Sequence, residues 1–270
     1  MPPMIMQAMS TPTHPLPSGV SRLTHLGVIS VQGAEAATFL HNQLTNDFAP
    51  LGLSEARLAA FCSAKGRMQA SFIGFKRSGE EIWLVCSRDL LPQTLKRLSM
   101  FVLRTKAKLS DISDTTALYG VSGDATKTIA FHAGSTWAKA DLGAQSWVRL
   151  PPAEGVPRAL VAQPLDAPAP EGAPLDAQVW QWSEVRAGVA TVSLPVFEAF
   201  VPQMLNYESV GGVNFKKGCY PGQEVVARSQ FRGTLKRRAY IAHCAQPLSA
   251  GQEIFASADT TQPVGLVVQA

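Results

Sequence analysis

A chain of 270 residues, with 46% hydrophobic and 16% charged residues, has the ordinary composition of a globular protein and is long enough for two or three packed units. The formal net charge of +4 is mildly basic, which suits anionic small molecules but is too weak to establish nucleic-acid binding. The four cysteines lie far apart without a C-x-x-C pair, which excludes a zinc module and a small disulfide framework and favours a reducing compartment.

The sequence contains no apolar run near the roughly 20 residues that a membrane helix needs. Residues 1–18 lack the charged start and apolar core of a secretory signal, so they are predicted to form a disordered leader. Together with the cysteine pattern, these features predict a cytoplasmic protein without a membrane partner.

Strands and two helices are predicted in the first part of the chain. The β-branched run 28–31 predicts a strand that ends at a turn, and helical spacing of apolar residues over 34–47 predicts a helix whose outer face carries His41. Further elements are predicted in order: strands over 58–62, 68–75 and 82–86, and a helix over 91–102. Cys62 and Cys86 fall in these apolar strands and are predicted to belong to the core.

Strands that alternate with short helices are expected through residues 111–175, and they predict a small central α+β unit. Its end, 164–174, is rich in Pro and Ala and predicts an extended loop. Residues 180–187 predict a short helix stopped by a glycine. Residues 235–270 predict the strands of a small β-barrel that is incomplete or closed in a reduced form, with one strand over 239–242.

Residues 215–228 combine a thiol, two glycines and a signal for the start of a helix. Pro221 suits the first helical position, where its missing N–H costs nothing, and Gln223 and Glu224 then fall in the first turn. Cys219 is therefore expected just before a helix N-terminus, where free N–H groups and the helix dipole favour a thiolate.

Cations flank this thiol on both sides. Lys216, Lys217 and Arg228 favour the charged form of the sulfur, so a reactive or ligand-exchanging Cys219 is expected. Two alternatives stay open: Cys219 is a small buried residue in a tight loop, or the helix start simply binds an anion.

The run Lys217-Gly218-Cys219-Tyr220-x-Gly222-Gln223-Glu224-x-x-x-Arg228 resembles the signature of the YgfZ family of folate-binding proteins, relatives of the glycine-cleavage T-protein. Three upstream blocks resemble the same family in the expected order, at 33–47, 62–68 and 211–215. The resemblance implies an α+β, T-protein-like fold of three parts around a central cavity, with the Cys219 loop at its rim and a small C-terminal β-barrel.

The resemblance also implies a division of the chain and a function. The implied parts are a discontinuous folate-binding domain of residues 19–110 and 176–234, a central unit of residues 111–175, and a barrel of residues 235–270. The implied ligand is tetrahydrofolate or a derivative. The implied role is accessory support of iron–sulfur cluster assembly or repair, with a transient iron–sulfur cluster, iron–sulfur proteins or assembly factors as partners, and an indirect link to tRNA modification. No resident metal site is predicted.

In this resemblance Lys217, Gln223, Glu224 and Arg228 belong with Cys219 to the reactive site. A folate also needs an aromatic face for its pterin ring, amide or carboxylate partners for the ring edge, and Arg or Lys for its tail.

Trp180 matches a position where the family places a folate-contacting tryptophan, although a core tryptophan is an equal alternative. The family's other such tryptophan falls at Leu26, which cannot stack. Arg186 stands where relatives more often carry a glutamate that pairs with pterin nitrogens. Lys65 and Arg67 flank a turn and are candidates for holding the tail, with solvated turn charges as the alternative.

Aminomethyl transfer is disfavoured. The T-protein resembles this chain around residues 64–72 but carries an aspartate there that the transfer needs, and Ala70 and Ser71 hold that place. Two other functions stay open: a folate-dependent one-carbon transferase acting on an unknown acceptor such as RNA, and an interaction protein whose cavity has lost its ligand. The basic cluster of residues 228–238 is expected to be a solvated face, with an anionic partner as the alternative.

Overall fold

The computed structural model of the chain describes residues 17–129, 131, 135–233 and 235–270. The described residues form twelve β-strands: β1 Gly19–Arg22, β2 Leu26–Gln32, β3 Ala56–Cys62, β4 Met68–Ser78, β5 Glu81–Ser87, β6 Lys108–Asp111, β7 Thr116–Ser122, β8 Lys139–Leu142, β9 Gln145–Ala153, β10 Val156–Pro164, β11 Glu253–Ala256 and β12 Asp259–Leu266. They also form four α-helices: α1 Ala36–Gln43, α2 Leu91–Ser99, α3 Ala177–Arg186 and α4 Gln223–Phe231. The predicted leader lies outside the described residues except for Pro17 and Ser18.

A five-stranded antiparallel sheet in the order β3-β4-β5-β2-β6 forms the first layer. Successive side chains of β5 alternate between two cores: Ile82, Leu84 and Cys86 face the side covered by α1 and α2, whereas Trp83 and Val85 face the second sheet. This burial on both faces explains the continuous apolar runs from which these strands were predicted.

Helix α1 is shorter than the helix predicted over 34–47. It ends at Gln43, and Leu44 is extended and forms an isolated bridge with Phe61. Next to it, the hydroxyl of Thr45 accepts a hydrogen bond from the backbone N–H of Ala60 at 2.8 Å and donates one to a backbone carbonyl at 2.6 Å. The backbone N–H of Thr45 also donates to the carbonyl of Ala60 at 3.0 Å. The helix therefore ends here because the backbone after it pairs with strand β3.

The second sheet is antiparallel and has the order β1-β7-β10-β9-β8. Strand β1, predicted in the discontinuous domain, pairs with β7 and so belongs to this sheet. Within 111–175 the described residues contain strands and a 3-10 helix at Gly123–Thr128, with no α-helix among them. The central unit is therefore a β unit where an α+β unit was predicted, because its helical cover comes from α3 outside that range.

The two sheets meet in a common core that includes Val28 and Val85 from the first, Leu160 from the second, and Trp180 from α3. The indole of Trp180 lies against the backbone of β7 at Gly120. A Cβ added at Gly120 would come within 2.4 Å of the indole ring. Glycine is therefore required at this point for α3 to dock on the sheet.

The barrel predicted over 235–270 is represented by a two-stranded hairpin, β11–β12, among the described residues. The predicted strand over 239–242 is absent. Residues 238 and 239 are attached to the rest of the fold by side-chain hydrogen bonds and not by strand pairing. Asn206 Nδ2 donates to the carbonyl of Ala239 at 3.0 Å, and Arg238 Nη1 donates to the carbonyl of Gln203 at 3.1 Å. None of the helices in the described ranges is long and apolar enough to cross a membrane.

We expect Gly120→Ala to lower the free energy of unfolding by about 2–3 kcal/mol, because the new methyl group must displace the indole of Trp180 in a packed core. Gly79→Ala is the matched control, since nothing lies within 4 Å of a Cβ at that position. Urea denaturation of the three proteins measures the effect. Equal stability of Gly120→Ala and the wild type would contradict the docking described for α3.

Candidate functional site

The Cys219 loop leads into helix α4, but the helix begins two residues later than predicted. Gly222 is the N-cap with φ of 80°, so Pro221 lies in the preceding turn and not in the first helical position. Gln223 and Glu224 occupy the first turn, as expected. Cys219 is exposed, which argues against the alternative of a buried structural cysteine.

Two glycines bring this loop against the turn between β3 and β4. Gly66 and Gly222 both have positive φ, at 70° and 80°. A Cβ at Gly222 would lie 2.4 Å from the carbonyl oxygen of Ser63, and one at Gly66 would lie 2.9 Å from Cβ of Val225. This close backbone approach forces the left-handed N-cap and explains why the chain turns at Gly222 rather than at Pro221.

Lys217 anchors the loop to helix α1. Its side chain is 8% exposed, and its Nζ donates hydrogen bonds to the backbone carbonyls of His41 and Leu44, the latter at 3.0 Å. The ammonium also lies 4.6 Å from the ring centroid of Tyr220. Carbonyls at the end of a helix lack partners within it and carry the negative end of its dipole, so a cation is well suited to this place.

Burial lowers the pKa of Lys217 to about 8, while Asp47 and Cys219 act in the opposite sense. The side chain therefore stays mainly protonated at neutral pH, close enough to interact electrostatically with Cys219. Burial raises the pKa of the Tyr220 hydroxyl, which is consequently a neutral phenol under the same conditions.

A histidine–carboxylate pair stands beside the loop. His41 Nδ1 and Asp47 Oδ1 are 2.7 Å apart, and a Cβ at Gly218 would lie 3.3 Å from His41 Nε2. The sequence indicated only that His41 lies on the polar face of α1. The fold brings the His41 side chain close to Gly218, the residue before Cys219.

The other residues predicted for the reactive site lie on the surface of α4. Arg228 Nη2 pairs with Glu224 Oε1 at 2.7 Å, four residues apart on the helix, and both side chains are mostly exposed. Gln223 is partly buried at the first helical position. Arg228 is thus directed to Glu224, and an exposed pair of this kind contributes little to stability.

A separate cavity of about 60 Å³ lies between the two sheets and α3. Its wall includes Trp180 and Leu26, two of the predicted ligand contacts, together with Arg158 and Glu184, which were not predicted. No residue of the Cys219 loop is among its lining residues, so the loop does not form the rim that the resemblance implied.

The remaining predicted ligand contacts lie elsewhere. Arg186 pairs with Glu154 and approaches the ring of Trp182 at 6.0 Å, outside the lining of the cavity. Arg67 Nη1 donates to the carbonyl of Ala199 at 2.8 Å, and Lys65 is exposed on its turn. Helical geometry accounts for the position of Arg186, because it is two residues from Glu184 and so points to a different side of α3.

Unsatisfied polar atoms mark the wall of the cavity. The guanidinium carbon of Arg158 lies 4.4 Å from the ring centroid of Trp180. Arg158 Nε and Trp180 Nε1 are both buried and find no hydrogen-bond partner among the described residues. Burial lowers the pKa of Arg158 to about 10, and the charge of Glu184 acts against that lowering.

A polar groove of about 520 Å³ lies on the other side of the cavity wall. Asn46, Asn214, Glu55 and Arg57 are among the polar residues that line it. Leu58 and Trp137 line both spaces.

One residue that lines the groove connects it to the Cys219 loop. Asn214 Oδ1 accepts a hydrogen bond at 2.8 Å from the backbone N–H of Lys216, three residues before Cys219. The groove therefore extends from the cavity wall to the segment that leads into the thiol.

The four cysteines divide into two classes. Cys62 and Cys86 are buried as predicted, and burial raises the pKa of both thiols, that of Cys62 to about 12. Cys219 and Cys244 are exposed. Among the described residues no group of three or more His, Cys, Asp or Glu side chains is arranged to hold a metal ion.

Known proteins resemble this chain in sequence. The GCVT N-terminal domain matches residues 17–146. An uncharacterized protein of Haemophilus influenzae is 30% identical over 220 residues, which cover 81% of this chain and 71% of that protein. A tRNA-modifying protein YgfZ of Cronobacter sakazakii is 29% identical over 251 residues, which cover 88% of this chain and 76% of that protein.

A solved structure resembles the fold. Glycine cleavage system aminomethyltransferase T from Bartonella henselae has a TM-score of 0.63 at 13% sequence identity, covering 94% of this chain and 74% of that one. At this identity the likeness concerns the fold and not the activity. The α+β, T-protein-like fold expected from the sequence is confirmed.

We expect Lys217→Met to lower the free energy of unfolding by about 2–4 kcal/mol at pH 7, because two carbonyls at the end of α1 lose their donor. The neighbouring exposed Lys216→Met should change it by less than about 0.5 kcal/mol. Between pH 8 and 10.5 the native Lys217 releases its proton before the unfolded chain does, so its contribution to stability rises with pH. Urea denaturation should therefore show a larger loss at pH 10 than at pH 7, and equal losses at both would contradict the lowered pKa.

Proposed function

This chain belongs to the YgfZ family, and from that premise we propose that it is a folate-binding accessory protein which supports iron–sulfur cluster assembly or repair and, through it, tRNA modification. The name of its curated relatives, tRNA-modifying protein YgfZ, supports the link to tRNA. The T-protein-like fold supports folate as the ligand. We place this activity in the cytoplasm because the widely spaced cysteines suit a reducing compartment.

The exposed thiol of Cys219 on an anchored loop is the observation that carries the proposal. The loop is tied to α1 by the buried ammonium of Lys217 and to the β3–β4 turn by the contact of Gly66 with the start of α4. In the proposed role the Cys219 sulfur is a transient ligand of a cluster in transit and replaces one of the cluster's previous ligands. The alternatives are exchange with a partner disulfide, which releases the partner's other thiol, and attack on a one-carbon unit, which breaks the bond between that carbon and a folate nitrogen. A thiol that is both exposed and rigidly held suits such an exchange, because a partner can reach it without the loop having to order first.

Folate would be held by the cavity between the sheets. Trp180 supplies an aromatic ring, and the unsatisfied N–H groups of Arg158 and Trp180 together with the Glu184 carboxylate supply polar partners for a ring edge. The cavity of about 60 Å³ holds a few water molecules but not a bicyclic ring. We therefore propose that the ring replaces the Arg158 guanidinium on the indole face, a side-chain movement of the kind that commonly accompanies binding.

Aminomethyl transfer is not part of the proposal. Ala70 is fully buried, and the Ser71 hydroxyl accepts a hydrogen bond at 2.9 Å from the backbone N–H of Val192. Neither side chain can supply the carboxylate that the related T-protein carries at this place.

Replacing Cys219 by Ala should abolish the support of tRNA thiolation in a strain that lacks its own copy of the gene. Cys244→Ala is the matched control, because Cys244 is also exposed but lies outside the anchored loop. Both variants should melt within a few degrees of the wild type, since neither removes a buried group. The measurement is the level of thiolated tRNA nucleosides, and wild-type levels with Cys219→Ala would refute a role for the thiol.

Tetrahydrofolate should quench the tryptophan fluorescence of the full chain in a saturable manner, because the proposed pose places the pterin ring on Trp180. Trp180→Phe, which keeps an aromatic ring in the core, should lose most of that quenching. Thermal melting checks that the variant is folded. Failure of tetrahydrofolate to bind the wild-type chain by fluorescence and by calorimetry would count against the folate part of the proposal.

A further inference from the structure

We infer that Arg158 and Glu184 together recognise a cyclic amide edge of the ligand, with a ring carbonyl facing Arg158 and the adjacent ring N–H facing Glu184. This inference rests on the proposed folate function and deepens it, because the pyrimidinone half of a pterin presents such an edge. It assigns ligand recognition to two residues that the sequence did not single out, and it removes Arg186 from that role.

Two N–H donors in the cavity call for an oxygen acceptor. Arg158 is 3% exposed and Trp180 is fully buried, yet neither Arg158 Nε nor Trp180 Nε1 has a hydrogen-bond partner among the described residues. A buried donor without an acceptor is costly, and native proteins keep few of them. Once the guanidinium has moved from the indole face to the edge of a bound ring, a ring carbonyl oxygen would give Arg158 the acceptor that it lacks.

One carboxylate faces the same space and supplies the acceptor. Within the described part of the chain, the Glu184 carboxylate has two polar neighbours: His25 Nε2 at 3.5 Å and Gln269 Nε2 at 3.3 Å. Both contacts use Oε2 and both are long. Oε1 of Glu184 is therefore available to accept a hydrogen bond from a ring N–H.

The position of Glu184 on α3 explains why it faces the ligand ring. Trp180 and Glu184 are four residues apart, so their side chains lie on the same face of the helix. Arg186 lies two residues further and is directed to Glu154. Glu184 is therefore the carboxylate of α3 that lines the cavity and can pair with ring nitrogens.

The combination of charges selects a neutral ring over a simple ion. A free phosphate or carboxylate would pair with Arg158 but would be repelled by Glu184 in the same small cavity. A cation would pair with Glu184 but would be repelled by Arg158. An edge with one acceptor and one donor satisfies both side chains at once. A site built from such pairs rejects rings that lack either group, because its own polar atoms are then left unpaired.

The test is a calorimetric titration of the full chain with three probes: tetrahydrofolate, a reduced pterin without a tail, and p-aminobenzoylglutamate as the tail without a ring. Glu184→Gln and Arg158→Met should each weaken binding of the first two probes by about 10-fold or more, because each removes a charge-assisted hydrogen bond. Arg186→Gln, the matched control on the same helix, should change affinity by less than about 2-fold. Thermal melting shows which variants are folded.

Arg158→Lys keeps the experiment decisive if Arg158→Met fails to fold, since lysine retains a cation near Trp180 but lacks the planar guanidinium and its Nε–H. It should also bind the reduced pterin about 10-fold more weakly than the wild type. Wild-type affinity for the pterin in folded Glu184→Gln, or in folded Arg158→Lys, would overturn the inference and leave the folate proposal intact.

Two further outcomes are informative. If the wild-type chain binds none of the three probes, the folate proposal itself fails. If the variants lose affinity for p-aminobenzoylglutamate instead of the pterin, Arg158 recognises the tail, and the assignment of the cyclic amide edge is wrong.

Discussion

A buried ammonium group at the end of a helix fixes the position of the Cys219 loop. Lys217 reaches the carbonyls of His41 and Leu44, from which it is separated by 176 and 173 positions in the chain. The helix end needs donors and favours a cation, and the lysine needs acceptors because it is removed from water. The helix carbonyls thus gain a hydrogen-bond donor, and the buried ammonium gains acceptors. The result is a surface loop that exposes Cys219 and is nevertheless attached to the helix that covers the first sheet.

The thiol and the cavity occupy separate places in the fold. The cavity lies between the two sheets and α3 and is lined by Trp180, whereas Cys219 precedes the start of α4 and lines neither the cavity nor the polar groove. Leu58 and Trp137 form the wall between groove and cavity. In the proposed function, folate binding and thiol chemistry therefore take place at distinct sites.

The cavity retains polar groups that a purely structural core would lack. Arg158 and Trp180 leave N–H groups without partners, and Glu184 makes only long contacts. A hydrocarbon core of the same size would avoid these desolvated groups and would be at least as stable. Buried polar groups without partners that line a cavity are expected where a ligand supplies the partners.

Local patterns in the sequence were sufficient for four of the five strands of the first sheet and for an exposed loop that leads into a helix, and the family resemblance supplied the T-protein-like fold. Those features depend on short-range properties: apolar runs, glycine and proline positions, and a motif of contiguous residues. Tertiary contacts decided the rest. Helix α4 begins after Pro221 because Gly66 packs closely against its first turn. Helix α1 is shorter than predicted because Thr45 forms hydrogen bonds with the neighbouring strand. The contact of Arg158 with Trp180 and the pairing of Arg186 with Glu154 depend on how α3 docks against the second sheet, which no spacing within the sequence specifies.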